Sequence, residues 1–195
     1  MLIIVLYFFS FVVVALVSRI FKNAGTRKLF EIVLCFCLLF GFFGFRDITV
    51  LNDTPHYYGY YYGKSLYTSY LNESIFTFHF MDKFEYGFQV LVHFLIKYVS
   101  KDPYTIILFS SLIITIGNLW FIQKKAKSVA MVCFFMLISY VFFMHYCIIR
   151  QSFAIIIFYI AYCKYLEKGH NVRYCMLILL ASSFHSSALV LLLLP

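Results

Sequence analysis

The sequence predicts an all-α integral membrane protein, a polytopic helical bundle of about six spans with one amphipathic helix on its outer surface. Of the 195 residues, 64% are hydrophobic and only 12% are charged, whereas soluble domains average about 45–50% apolar and about 25% charged residues. Six apolar stretches approach the length of about 20 residues that a spanning helix needs. This composition argues against a soluble enzyme, a disordered chain and a nucleic-acid-binding domain, although the net charge is +8.

The apolar stretches and the charges between them predict the topology. Lys and Arg collect in cytoplasmic loops. The basic residues that follow the first stretch therefore place the N-terminus outside, and the lysine-rich segments 123–128 and 164–173 are predicted to be cytoplasmic. Acidic groups outnumber basic ones over residues 46–85, so this region is predicted to be external. The predicted spans are residues 2–18, 29–45, 104–122, 129–149, 151–166 and 174–194.

One further apolar segment, 84–100, carries a polar face. Glu85, Gln89, His93 and Lys97 follow one another at intervals of four residues, which places them on one side of a helix. If this segment spanned, the lysines of 123–128 would lie outside, so we expect an amphipathic helix on the outer surface. A tilted or re-entrant segment is the alternative. The chain 1–195 is thus predicted to be one membrane domain whose external loop covers residues 46–103.

The cysteines and most histidines carry no signal of a site. All six cysteines lie in or beside apolar stretches without a metal-binding spacing, so they are predicted to face lipid or core. No metal site and no cofactor are expected. The residues expected to be solvated or interfacial are His56, His79, His93 and His170.

The external loop begins with a charged and tyrosine-rich segment. Arg46 follows the second span, Asp53 opens an apparent turn at Asp-Thr-Pro, and Tyr57 and Tyr58 follow. In the simple interpretation, the Arg46 side chain extends to lipid headgroups and the tyrosines form an aromatic belt at the membrane interface. The functional interpretation makes the tyrosines a platform on which a sugar stacks and forms hydrogen bonds.

Two polar residues, one at the edge of a late span and one near the middle or outer half of the last span, are the sharper candidates. Arg150 stands between two spans and is followed by Gln151. A guanidinium suits phosphate or carboxylate, although an interfacial arginine can simply end a helix. His185 stands among alanines and serines, where it can either support close helix packing or accept a proton from a substrate hydroxyl.

Several short motifs follow one another along the chain, namely Arg46, Asp53-Thr54 followed by tyrosines, Glu85-x-Gly87-Phe88, Arg150-Gln151-x-x-Ala154 and His185-x-Ser187-Ala188. Their order resembles the EpsG/Wzy-like family of membrane polysaccharide polymerases. The resemblance covers nearly the whole chain, although a valine-leucine-asparagine segment precedes Asp53 where the family usually has a glycine, and family members usually continue through several more spans. The chain is therefore expected to be the N-terminal part of a polymerase, and its activity alone is in doubt.

The resemblance implies an inverting, metal-independent glycosyl transfer on the outer face of the bacterial cytoplasmic membrane. The donor would be an oligosaccharide linked through pyrophosphate to undecaprenol, and the expected partners are membrane lipid, a flippase and a chain-length regulator. Arg150 would stabilise the leaving pyrophosphate, with Arg46 as a second clamp. His185 would be the base, with Asp53 in reserve. The expected substrate-binding residues are Arg46, Tyr57, Tyr58, Glu85 and Gln151.

Other classes remain open at this point. An O-antigen-type ligase or a membrane acyltransferase of the same pathway would use the same arginine and histidine chemistry. A transporter of lipid-linked sugar commonly shows internal repeats and polar groups along a path through the bilayer, and the sequence shows neither. A non-catalytic membrane subunit is the third alternative.

Overall fold

The structure, a computed structural model, describes residues 2–194. Helix makes up 77% of it and the described residues form no strand, which confirms the all-α class. The α-helices are α1 Leu2–Val17, α2 Ala24–Gly44, α3 Thr54–Leu66, α4 Thr68–Asn72, α5 Tyr86–Tyr98, α6 Tyr104–Lys125, α7 Val129–Ile138, α8 Val141–Cys147, α9 Ile149–Lys164 and α10 Asn171–Ser182. Short 3₁₀ helices cover Ser18–Ile20, Leu166–Lys168 and Ser186–Leu193.

The described helices include fewer that are long enough to span a membrane than the six spans that the sequence predicts. Among the described residues, α6 alone is long and apolar enough to cross a bilayer as one straight helix, and α7 with α8 qualifies as a bent pair. α1 and α9 have 16 residues each and α10 has 12, against about 20 for a full span. The six-span bundle therefore stays a prediction.

Side-chain caps and a proline set several helix starts. The Asn23 side chain accepts hydrogen bonds from two backbone N–H groups of the first turn of α2, and Ser128 accepts one at the start of α7. These bonds satisfy donors that have no partner within a helix. Pro55 stands in the first turn of α3, where its missing N–H costs nothing. The apparent turn at Asp53 is thus the start of a helix.

The segment predicted as the fourth span is broken. α7 and α8 meet at 76°, and between them Tyr140 has a φ of 61°, a left-handed conformation that is unfavourable for residues other than glycine. Neither a proline nor a glycine marks the break in the sequence.

Two compact units divide the chain. The first contains the chain up to Arg46 together with Ser111–Tyr146, and the second contains Asp47–Ser110 and the chain from Cys147 onward. The prediction of one membrane domain is not tested by this division.

In the first unit, α1 and α2 pack on α7, and polar side chains hold them together. The buried carboxylate of Glu31 on α2 accepts hydrogen bonds from the Ser18 hydroxyl, the Ser128 hydroxyl and the Ala130 N–H. A buried charge costs free energy unless it is hydrogen-bonded. Glu31 therefore fixes the ends of two neighbouring helices to α2.

A polar stripe on α6 completes the first unit. Ser111 accepts a hydrogen bond from Arg46 at 2.9 Å, and the Thr115 hydroxyl lies 2.6 Å from the Tyr146 hydroxyl. Asn118 lies 3.1 Å from a ring nitrogen of His145. Residues three and four apart share a helix face, so this stripe binds polar partners that would otherwise be buried without hydrogen bonds.

In the second unit, α9 packs against α10 and the last 3₁₀ helix, while α3, α4 and α5 pack on one another. The polar face of α5 points partly into the protein. Gln89 bonds main-chain groups of His79 and Phe84, and the His93 ring stacks on Tyr70 with centroids 4.2 Å apart. His93 is 1% exposed, so the expectation that it is solvated is wrong. Placement of α5 on the membrane surface stays a prediction.

Candidate functional site

Arg150 and Glu85 form the central ion pair of the second unit. Arg150 stands in the first turn of α9, and its guanidinium donates to the Glu85 carboxylate. Glu85 precedes α5, which begins at Tyr86. The guanidinium also lies over the Phe84 ring, 4.9 Å from its centroid, a favourable cation–π distance. Both charged side chains are slightly more than one-fifth exposed.

His185 is the third member of this group. Its Nδ1 lies 3.3 Å from the second carboxylate oxygen of Glu85, and its side chain is 25% exposed. Glu85 therefore bridges the guanidinium and the imidazole, one oxygen to each. Nδ1 has no hydrogen-bond partner among the described residues, so this contact is electrostatic. A carboxylate this close favours the protonated imidazole, and Nε2 is the other nitrogen that can exchange a proton.

The bridge leaves Glu85 ionised at neutral pH. Burial raises the pKa of this carboxyl, but hydrogen bonds from its own backbone N–H and from Arg150, together with the charges of Arg150 and His185, outweigh burial and lower the pKa. A negative group is thus held between a permanent cation and a histidine.

A close main-chain contact brings Glu85 to His185. The Gly87 N–H donates to the Ser183 carbonyl at 2.7 Å. A Cβ on Gly87 would lie 2.5 Å from the Ser183 hydroxyl oxygen and 2.9 Å from its carbonyl oxygen. Glycine is required here because the start of α5 touches the turn between α10 and His185.

A cavity of about 510 Å³ opens beside Arg150. Its wall is aromatic at Tyr57, Tyr60 and Phe84, and the Tyr60 and Phe84 rings meet edge to face with centroids 4.5 Å apart. The lining residues are Asp53, His56, Tyr57, Tyr60, Met81, Asp82, Lys83, Phe84 and Arg150. Aromatic faces with a few charged groups suit a ligand that has both apolar and polar surfaces.

Hydrogen bonds fix the acidic side of this cavity. The Asp82 carboxylate forms an ion pair with Lys64 at 2.8 Å and accepts a hydrogen bond from the Tyr60 hydroxyl at 2.8 Å. Burial, followed by the hydrogen bond to Asp82, raises the pKa of Tyr60, and burial raises that of Tyr57. Both phenols are therefore neutral hydrogen-bonding groups at physiological pH.

The structure brings together some of the residues that the sequence predicts for the site. Arg150, His185 and Glu85 form one group, and Asp53 and Tyr57 line the adjacent cavity. The cavity lining does not include Tyr58 or Gln151. Gln151 instead lines a separate groove of about 470 Å³ between α9 and the last 3₁₀ helix.

Arg46 belongs to the first unit and is 6% exposed. Its guanidinium donates to the Phe43 carbonyl, to the Ser111 hydroxyl and, at 3.2 Å, to the Tyr146 carbonyl. These carbonyls belong to the ends of α2 and α8, so Arg46 joins two helix C-termini, where a cation is favourable. Its predicted role as a second substrate clamp stays a prediction.

Several residues of the site were not predicted. Phe84, Tyr60, Asp82 and the Gly87–Ser183 contact carry no separate signal in the sequence, because their importance depends on which elements meet. The motif Glu85-x-Gly87-Phe88 is the sequence feature that could have indicated the Gly87–Ser183 contact. A glycine near a charged residue commonly marks a place where another segment of the chain comes close to the backbone. Within residues 2–194, no group of three or more His, Cys, Asp or Glu is arranged to hold a metal ion, and a metal-independent site stays a prediction.

Comparison with known families gives one match. The model of the EpsG family matches residues 29–195, a range that includes Arg46 and every site residue described above. No curated protein and no solved structure matches the chain.

Proposed function

Because the chain belongs to the EpsG family, we propose that it acts in polysaccharide polymerisation as a glycosyltransferase at the outer face of the bacterial cytoplasmic membrane. Family membership and the apolar helices support a membrane protein with a polysaccharide polymerase-like role. The donor is an oligosaccharide linked to undecaprenol through pyrophosphate, and the acceptor is the hydroxyl of a second lipid-linked repeat unit.

The observation that carries this proposal is the bridge from Arg150 through Glu85 to His185 at the edge of an aromatic cavity. Transfer of a glycosyl group from a pyrophosphate needs a cation for the leaving group and a base for the acceptor. Both kinds of group are present, and the cavity offers aromatic faces of the kind that sugars stack on.

The proposed step is a direct displacement. The acceptor oxygen forms a bond to the anomeric carbon while the bond from that carbon to the pyrophosphate oxygen breaks. The electron pair of the broken bond stays on the pyrophosphate, whose growing charge Arg150 stabilises. Nε2 of His185 takes the acceptor proton. One displacement inverts the anomeric centre.

The sequence predicts that Glu85 binds sugar, whereas in the proposed step it acts on His185. Its carboxylate lies 3.3 Å from Nδ1 and stabilises by its charge the imidazolium that forms when Nε2 gains a proton. Asp53 and Tyr57 line the cavity and are placed to bind sugar hydroxyls. Tyr58, Gln151 and Arg46 have no assigned step.

The test is complementation of a deletion strain with single variants. Arg150→Ala removes the leaving-group cation and should lower polymer yield by about 10²–10³-fold, the effect typical of losing one such stabilising group. His185→Ala removes the base and should lower yield by about 10²–10⁴-fold. Polymer length and yield are measured by electrophoresis at matched protein levels in the membrane.

Matched controls come from the same unit. Arg173→Ala and His170→Ala remove exposed side chains of the same types and should leave the polymer unchanged. Normal polymer from both Arg150→Ala and His185→Ala would refute the proposal. In labelling experiments, longer chains on the isoprenoid lipid support polymerisation, whereas label transferred to lipid A would identify a ligase.

A further inference from the structure

The first unit contains a second polar pocket, separate from the site of the second unit. It has a volume of about 180 Å³ and lies where the end of α1, the start of α2 and the α6–α7 connection meet. Three of its lining side chains are cations, namely Arg19, Arg27 and Lys127, and one is the Glu31 carboxylate. The charges of the lining groups therefore leave an excess of positive charge.

Glu31 does not neutralise these cations by direct pairing. Its oxygens accept the three hydrogen bonds from Ser18, Ser128 and Ala130 that hold the helix ends together, and it is 2% exposed. None of the ion pairs between described residues involves Glu31 or the three cations. The guanidinium and ammonium groups thus remain available to an external anion.

The end of α6, two residues before the pocket residue Lys127, indicates which anion the pocket takes. Trp120 stands near the end of α6, with the Lys124 ammonium 4.5 Å from its ring. Tryptophan and lysine together are typical of the membrane–water interface. Lys127 lies in the short connection that follows the end of α6 at Lys125, so we place the pocket at the depth of lipid headgroups.

From these observations we infer that the pocket binds the phosphodiester headgroup of an anionic phospholipid of the inner leaflet. Two guanidinium groups offer paired donors to phosphate oxygens, and Lys127 adds a third charge. Basic pockets between membrane helices on the cytoplasmic side commonly bind anionic headgroups. This inference does not depend on the proposed glycosyl transfer.

The single tryptophan of the chain provides the measurement. The protein is reconstituted in vesicles that contain either brominated phosphatidylglycerol or brominated phosphatidylcholine at the same mole fraction, and bromine quenching of Trp120 fluorescence is compared. Stronger quenching by the anionic lipid is expected. Each cation near an anionic headgroup contributes roughly a fivefold factor in affinity, so Lys127→Gln should reduce the preference by roughly that factor.

The decisive comparison uses two triple variants with the same change in charge. Arg19→Gln with Arg27→Gln and Lys127→Gln should abolish the preference. Lys164→Gln with Lys168→Gln and Arg173→Gln, in the other predicted cytoplasmic segment, should retain it. Circular dichroism checks that each variant keeps its helix content. If the triple variant of the pocket does not fold, the lipid preference is measured instead in the three single variants of the pocket cations.

Three results would overturn the inference. Equal quenching by both lipids in the unmodified protein would show that no selective headgroup site exists. Equal loss in both triple variants would show general charge attraction rather than a pocket. Loss of the preference on addition of inorganic phosphate would show that the pocket takes a free anion instead of a lipid.

Discussion

Arg46 and Arg150 are both arginines at the ends of apolar segments, but the two units treat them differently. Arg46 is buried and donates to main-chain carbonyls of α2 and α8 and to Ser111. Arg150 is partly exposed, pairs with the Glu85 side chain and faces a cavity. The main-chain carbonyls that bind Arg46 cannot move away without unfolding a helix end. The Glu85 side chain can rotate away, which would leave the Arg150 guanidinium free to bind another anion.

From this difference we expect a structural role for Arg46 and a substrate-binding role for Arg150. The family resemblance assigns both residues to the pyrophosphate, with Arg150 as the main stabilising group and Arg46 as a second clamp. The partners distinguish them. A guanidinium whose donors are directed at helix C-termini stabilises the fold, and one that shares a mobile anion beside a cavity can act on a ligand.

The largest expected effect on stability is at Arg46. Arg46→Met removes a donor from two carbonyls and from the Ser111 hydroxyl, although the Phe43 carbonyl keeps its hydrogen bond from Ser111 at 3.2 Å. Each buried group left unsatisfied costs about 1–3 kcal/mol, so the free energy of unfolding should fall by about 2 kcal/mol or more. Arg150→Met breaks a partly exposed pair and should cost less than about 1 kcal/mol. Denaturant unfolding in detergent, followed by circular dichroism, measures both. Equal costs would remove the distinction between the two arginines.

A smaller effect is expected at Gly87. Gly87→Ala places a Cβ against Ser183, and overpacking of this kind typically costs about 1–3 kcal/mol. It should also lower polymer yield, because the start of α5 moves Glu85 away from His185. Gly59→Ala is the matched control, since a Cβ there meets nothing within 4 Å and should favour helix α3. Unchanged yield in Gly87→Ala would show that the close contact does not position the bridge.

The smallest effect is the pH dependence of the bridge. The pKa of Glu85 in the folded protein lies below its ordinary value of 4.5. The ionised carboxylate therefore contributes stability above pH 4.5, and this contribution is lost as the pH falls through the lower, folded-state pKa. Unfolding measured across this range should show a steeper acid loss in the unmodified protein than in Glu85→Gln. Identical profiles would contradict an ion pair at this position.

The sequence predicts the all-helical class and the family, because apolar composition and motif order do not depend on tertiary contacts. It also pairs Arg150 with His185 as candidates, since an isolated charge beside an apolar stretch is costly and conspicuous. The bridge between them was not predictable. Glu85 is 65 residues from Arg150 along the chain, and the contact of Gly87 with Ser183 helps bring its segment to the site.

Burial of polar groups was the other limit of prediction. His93 and Gln89 have the spacing of a solvated helix face, yet they pack against Tyr70 and His79. A helical polar stripe looks the same in sequence whether it faces water or a polar neighbour. The partner of such a stripe is set by the segments that fold over it, here α4 and the loop between α4 and α5.

The corner at Tyr140 has a consequence for how this part of the chain tolerates change. Tyr140, in the left-handed conformation, separates α8 from α7. The direction in which the α8 side chains point is therefore not set by α7, and one helical repeat of apolar residues does not describe both helices. An inserted residue within α7 can be absorbed at the corner, whereas one between Val141 and His145 would turn His145 and Tyr146 by about 100° relative to Asn118 and Thr115. Indel tolerance should therefore change abruptly at this single residue.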